Sequence, residues 1–217
     1  MAEKIAPPRK YWDRLFATPG ILGLVTTVDA KGAVNTGAYA TCLRAVHNPV
    51  QVSFVTDDTN DTCLNIKETE QFVVNLPSFN RELLSKVCTV GLPFARDVNE
   101  LEKAGLTALA STVVKPPRIA ECNRHFECEV VWTKEWGTRV MVMGEVVAAS
   151  VDQGCIDDDG FILWDKISPV LFCGAPYLNQ PPFQSRFVAA HETITVEPYG
   201  EYAEVELFRQ KLKKLDI

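Results

Sequence analysis

A chain of 217 residues, 47% hydrophobic and 23% charged, has the composition of an ordinary folded protein, with material for one large domain or two small ones. Its formal net charge of −6 excludes a nucleic-acid binder that relies on a basic face, although backbone N–H groups at a helix start can still hold a phosphate. No stretch approaches the roughly 18 apolar residues of a membrane span, no apolar leader core is visible in "MAEKIAPPRKYWDRLF", and seven scattered cysteines suit reduced thiols in a cytoplasm better than a disulfide framework.

Residues 1–18 read as an N-terminal extension with room for a short helix. "ILGLVTTVDA" (21–30), rich in Val, Ile and Thr, predicts the first strand, and "AKGA" (30–33) a turn with Gly32 at the residue that tolerates positive φ. "VNTGAYATCLRAV" (34–46) and "VQVSFVT" (50–56) predict two more strands; in the latter Val50, Val52 and Phe54 alternate with Gln51, Ser53 and Val55. "VTDDTNDTCLNI" (55–66) reads as a strand end, a tight turn and the first turn of a helix capped by Asp61 or Thr62. Its Asn60-Asp61-Thr62 also fits the glycosylation pattern, a reading that reduced thiols set aside.

"QFVVNL" (71–76) predicts a fourth strand. Two helices follow: 80–90, with Asn80 as N-cap and Leu83, Leu84 and Val87 on one face, and 95–105, with Asp97 and Glu100 in capping-box spacing and a stop at Gly105. Residues 125–151 predict a long β-hairpin turning near Glu135 to Gly137. From Glu201 onward Val205, Phe208, Leu212 and Leu215 form one stripe, with glutamates early and lysines late, as a packing or subunit-interface helix requires. Strands joined by hairpins and meanders predict a mainly β fold with peripheral helices, an antiparallel barrel.

Common catalytic and nucleotide motifs are missing: no G-x-G-x-x-G, Walker lysine loop, H-E-x-x-H or G-x-S-x-G. Cys122, His125 and Cys128 suggest zinc, but no fourth ligand is nearby. On a strand the histidine would face away from both thiols, so no metal is expected. "DDDG" (157–160) has Ser168 where an EF-hand needs its glutamate and reads as a solvated turn. Two stretches remain. "NTGAYATC" (35–42) is low in bulk and rich in hydroxyls, which suits either close approach of a ligand or crowding by another strand. The helix mouth at 60–62 suits either a phosphate or simple capping.

The runs 21–78, 98–131 ("VNELEKAGLTALASTVVKPPRIAECNRHFECEVV"), 137–152 ("GTRVMVMGEVVAASVD") and 167–178 ("ISPVLFCGAPYL") resemble, in order, the flavin reductase-like, FMN-binding split-barrel family. The resemblance covers roughly residues 19–178 and leaves 179–217 as a C-terminal extension. It implies a six-stranded antiparallel split β-barrel of Greek-key type, usually a homodimer, with FMN ahead of FAD in an interfacial groove. On that pattern Thr36, Gly37, Ala38, Tyr39, Ala40 and Thr41 line the isoalloxazine and ribityl region, with Ser53 close by. Asn60, Asp61, Thr62 and Asn65 surround the phosphate; Phe94 meets the ring edge, and Arg96 meets phosphate or nicotinamide. No catalytic acid–base pair is implied, because flavin carries the redox chemistry.

NADH or NADPH is the co-substrate if the protein is a flavin reductase. A flavoredoxin-like carrier would not use one, and a split barrel can also hold another ligand altogether. A monooxygenase or redox protein is the implied partner, and no nucleic acid or membrane is. The chain departs from the family pattern at Ile167-Ser168, where short reductases carry a histidine before the closing proline, and at Ala40, where Ser or Thr is common.

Overall fold

A computed structural model of the chain describes residues 4–9, 20–96, 98–173, 185–190 and 194. Strands β1 (Ile21–Val28), β2 (Val34–Val46) and β3 (Gln51–Asp57) form an antiparallel meander. The Asp29 carboxylate closes the first turn by accepting from Lys31 and Ala33 N–H, both at 2.8 Å, and Gly32 takes φ 88°. Helix α1 (Asp61–Thr69) then carries the chain to β4 (Gln71–Leu76), which pairs with β1. The spatial order β4-β1-β2-β3 is a Greek key.

After α2 (Arg81–Val90), the short α3 (Glu100–Lys103) and the two-residue strands β5 (Ala108–Leu109) and β6 (Arg118–Ile119), a long hairpin completes the ring. Its strands, β7 (Arg124–Trp136) and β8 (Arg139–Val151), pair with β4 and β3. The circuit β1-β2-β3-β8-β7-β4 closes into a six-stranded antiparallel barrel without free edges along most of its length. Helix α4 (Trp164–Ile167) precedes β9 (Val170–Phe172) and β10 (Phe187–Ala189), which attach to β1 outside the ring. Among the described residues no helix is long and apolar enough to cross a membrane.

Period-two alternation sends Val52 and Phe54 of β3, Phe72 and Val74 of β4 and Val140 and Val142 of β8 into the barrel, and α1 plugs it with Cys63 and Ile66. The Phe54 and Phe72 rings meet edge to face at 5.4 Å. A second core lies outside the wall, where Leu22 and Leu24 of β1 meet Leu83, Leu84 and Val87 of α2 and Leu101 of α3. Strand β1 is thus buried on both faces, which is why its sequence is a continuous Val/Leu/Thr run without polar alternation.

The structure corrects several local expectations. The helix expected over 95–105 is only Glu100–Lys103, and its cap is Asn99, whose Oδ1 accepts from Leu101 N at 3.1 Å and Glu102 N at 3.4 Å. Helix α1 starts one residue early, with Asn60 as its N-cap and no side-chain cap hydrogen bond. Strand β3 begins at Gln51, so Val50 precedes it and is 39% exposed. The long hairpin turns at Gly137-Thr138.

Cys122 precedes β7 and lies in the outer core, whereas Cys128 lies inside the barrel. His125 is buried, its Nε2–H donating to Ile119 O at 2.9 Å and its Nδ1 facing Ser150 Oγ at 3.1 Å. Asp157 Oδ1 accepts from Asp159 N and Phe161 N, an Asx turn. All seven cysteines are free thiols. The short helix within 1–18, apart from 4–9, and the helix from Glu201 onward lie outside the described residues.

Candidate functional site

Strand β2 creates the site by outrunning its neighbour. It pairs with β1 from Val34 to Cys42 but with β3 only from Leu43 onward, so its first half has one open edge. Thr36 N–H turns away from β1 and donates to Glu100 Oε2 at 3.0 Å. The alternation of an antiparallel ladder turns the Ala38 backbone N–H and C=O the same way, toward the opening.

Helix α1 opens onto this edge. Its hydrogen-bond ladder begins with Leu64 N–H donating to Asn60 O at 3.0 Å, so the amides of Asp61, Thr62 and Cys63 precede the ladder and carry the positive end of the dipole. A buried network fixes the helix against the strands: Asn35 Nδ2 donates to Thr27 Oγ1 at 3.1 Å and to Thr62 Oγ1 at 2.9 Å, and Asn65 Nδ2 donates to Thr27 Oγ1 at 3.1 Å.

Strand edge, helix mouth and the loop after α2 enclose one cleft of about 510 Å³. Thr36, Gly37, Ala38 and Tyr39 form one wall, Asn60, Asp61 and Thr62 the second, and Phe94 and Arg96 the third. Gly37 keeps the first two walls open, since a Cβ there would lie 2.7 Å from the Tyr39 ring and 3.0 Å from Thr62 Oγ1. The Thr36 hydroxyl is buried and has no hydrogen-bond partner among the described residues. Tyr39 OH lies 3.0 Å from Thr56 Oγ1, and burial pushes its phenol up.

Four other residues that the resemblance assigns to the ligand lie outside this cleft. Ala40 lines a neighbouring hollow. The Thr41 hydroxyl bridges to β3, accepting from Val55 N at 3.0 Å. Ser53 faces away from the barrel interior, in a cross-strand row with Leu43, Met143 and Trp132, and its buried Oγ has no partner among the described residues. Asn65 stands behind the helix mouth, where its Oδ1 receives Arg96 Nη2 at 3.5 Å.

Among the described residues, Arg96 is the cation of the cleft. Arg96 Nη1 meets Asp61 Oδ1 at 3.1 Å and its Nη2 lies 3.8 Å from Glu68 Oε1, and the arginine side chain is still 47% exposed. Glu100, which local spacing suggested as half of a capping box, instead reaches into the cleft; burial pushes its carboxyl up. Asn35, the first residue of the low-bulk stretch but not one that the resemblance assigns to the ligand, also lines the cleft.

A closed six-stranded antiparallel barrel with few helices is the split-barrel fold. The chain belongs to the flavin reductase like domain family, which it matches over residues 15–174. A protein of Aquifex aeolicus (strain VF5) is 31% identical over 164 residues, spanning 73% of this chain and 83% of the relative. Among solved structures, nitrilotriacetate monooxygenase component B from Bacillus cereus superposes with TM-score 0.76 at 20% identity, covering 90% of this chain and 99% of that one. The flavoredoxin of Desulfovibrio vulgaris (Miyazaki F) gives 0.73 at 22% identity, covering 90% and 97%. Identities this low carry the fold alone.

Proposed function

We propose that the cleft binds FMN and that the protein is an NAD(P)H:flavin oxidoreductase, a cytoplasmic homodimer that passes hydride from nicotinamide to flavin for a monooxygenase or redox partner. The observation that carries the flavin reading is the shared cleft itself, because it joins two chemically different ends. At one end the first-turn amides of α1, the Thr62 hydroxyl and the half-exposed Arg96 suit a phosphate. At the other, the open edge of β2 offers the Ala38 backbone and the unpartnered Thr36 hydroxyl to a flat polar ring, and Gly37 admits its close approach.

FMN supplies two-electron redox chemistry, so the chain's residues need only bind, orient and tune. Dimerisation is supported by Leu43, Val131 and Trp132, which remain 50%, 47% and 41% exposed on the barrel. A flavoredoxin-like carrier is the second reading, supported by Ile167-Ser168 at the position where short reductases carry an imidazole.

The purified protein is expected to be yellow or to take up FMN with flavin absorption bands; a colourless protein that refuses FMN removes both readings. Substituting Asn60→Ala and Thr62→Ala together should weaken FMN retention by about tenfold or more, the scale of one charge-assisted hydrogen bond. Unchanged affinity by fluorescence titration would place the phosphate elsewhere. Anaerobic mixing of the FMN-loaded protein with NADH and with NADPH should bleach the flavin bands rapidly with at least one of them. No bleaching with either transfers the assignment to the carrier.

A further inference from the structure

Beside the cleft lies a second hollow of about 210 Å³ with a different character. It shares Ala38 and Gly91 with the cleft, so the two are separated by little more than one small side chain and one backbone turn. Leu22, Val87 and the aromatic pair Phe172–Phe187, with ring centroids 5.8 Å apart, make its walls. Ala40 falls on the same face of β2 as Ala38, and together they leave the space open. Among the described residues its only polar side chains are the Cys88 thiol and the Ser185 hydroxyl, and none of those residues brings a carboxylate, ammonium, guanidinium or imidazole to it.

Those walls select an occupant by size and charge. An apolar cavity of roughly 150 Å³ holds benzene, so 210 Å³ accommodates one ring with a substituent or two fused rings. A carboxylate or phosphate placed there would lose its hydration with no cation among the described residues to replace it, whereas a single neutral polar group can meet the serine or the thiol. The cleft, with Arg96 and the helix mouth, has the opposite preference.

We propose that this hollow binds an uncharged organic molecule of one or two rings, held directly beside the occupant of the cleft. The binding claim stands on the hollow alone. The flavin reading adds only the identity of the neighbour, and with it makes a neutral ring compound the substrate class that this protein brings to its flavin.

The test uses the full chain, with and without FMN, and the probe pair benzamide and benzoate, which differ mainly in charge. Calorimetric titration is expected to show benzamide binding at least about tenfold more tightly than benzoate, given the cost of burying an unpaired charge. Cys88→Phe, which fills the hollow, should weaken benzamide binding by about tenfold or more. FMN uptake should be the same in wild type and this variant. Equal affinity for the two probes, or undiminished benzamide binding by folded Cys88→Phe, overturns the proposal.

Should Cys88→Phe fail to fold, alkylation of wild-type Cys88 by N-ethylmaleimide, mapped by mass spectrometry, decides instead. Saturating benzamide should slow it several-fold, and an unchanged rate overturns the proposal. A protein that binds benzamide as expected but refuses FMN keeps the hollow and loses the flavin reading; one that takes FMN but not benzamide does the reverse.

Discussion

Glu127→Ala should destabilise the fold by about 2–4 kcal/mol at neutral pH, the largest stability loss expected from a single polar side chain here. Glu127 lies on β7 and is 2% exposed, yet it pairs with no lysine among the described residues. Its carboxylate gathers the loop between β5 and β6. Oε1 accepts from Thr112 N and Thr112 Oγ1, both at 2.9 Å, and Oε2 from Val113 N at 2.7 Å and Val114 N at 3.2 Å. Arg118 Nε adds a more distant charge at 3.8 Å. Alanine would leave those amides without their acceptor over an emptied buried site.

The pH dependence carries a definite sign. Burial pushes this carboxyl up, but the hydrogen bonds donated by Thr112, Val113 and Val114 outweigh it and hold the group below the ordinary glutamate range. A carboxyl depressed in the folded state stabilises fully above its unfolded pKa, and that contribution is lost as pH falls through the folded value. Urea unfolding of wild type and Glu127→Ala should therefore differ most near neutrality and converge in acid. A difference under about 1 kcal/mol at pH 7 would mean that the loop amides find other acceptors.

Glu127 also marks what a linear reading can and cannot see. Alternation and turn residues in the sequence imply the strands, because each depends on neighbours two to five positions away. The order β4-β1-β2-β3 also follows from an ordered family resemblance, but not from any local pattern. The helix mouth at Asn60 to Thr62 is legible for the same local reason.

Glu100 is not. Its partner Thr36 is 64 residues away, and its spacing from Asp97 imitates a capping box that the fold does not use, because Asn99 already serves the helix amides. The Asn35–Thr27–Asn65 network is hidden likewise, since its members meet only after α1 packs on the first hairpin. Thr41 and Ser53 stand near the site in sequence, yet barrel closure decides their surroundings: one bridges to β3 and the other turns outward.

Glu100→Gln should raise FMN affinity by about tenfold above the range where this carboxyl ionises, and should have little effect in acid. The side chain is 7% exposed and lines the cleft, with Oε2 accepting from Thr36 N–H at 3.0 Å. Burial pushes its carboxyl up; the Thr36 and helix backbone hydrogen bonds pull it back, and the Asp61 charge adds to the rise. The facing groups leave no cation dedicated to it, since Arg96 is shared between Asp61 and Glu68. Once ionised, Glu100 adds a negative charge without a cation of its own to a cleft that must accept a phosphate, and roughly 1–2 kcal/mol of repulsion follows at an effective dielectric near 20.

Glutamine keeps an oxygen for Thr36 N–H, so the open edge of β2 retains its geometry while the charge is removed. The phosphate's own second ionisation, near pH ~6, is common to both proteins and cancels in their ratio. Fluorescence titrations from acid to neutral pH should thus give an affinity ratio, variant over wild type, that climbs through the raised pKa of Glu100 and then levels. The same group should destabilise the empty fold as pH rises, because an acid whose folded pKa is raised loses stability between its unfolded and folded values. A flat ratio would show that the phosphate binds beyond the reach of this carboxylate. A ratio below one would mean that the ionised form holds the Thr36 edge in the conformation FMN needs, and that positioning outweighs repulsion in this cleft.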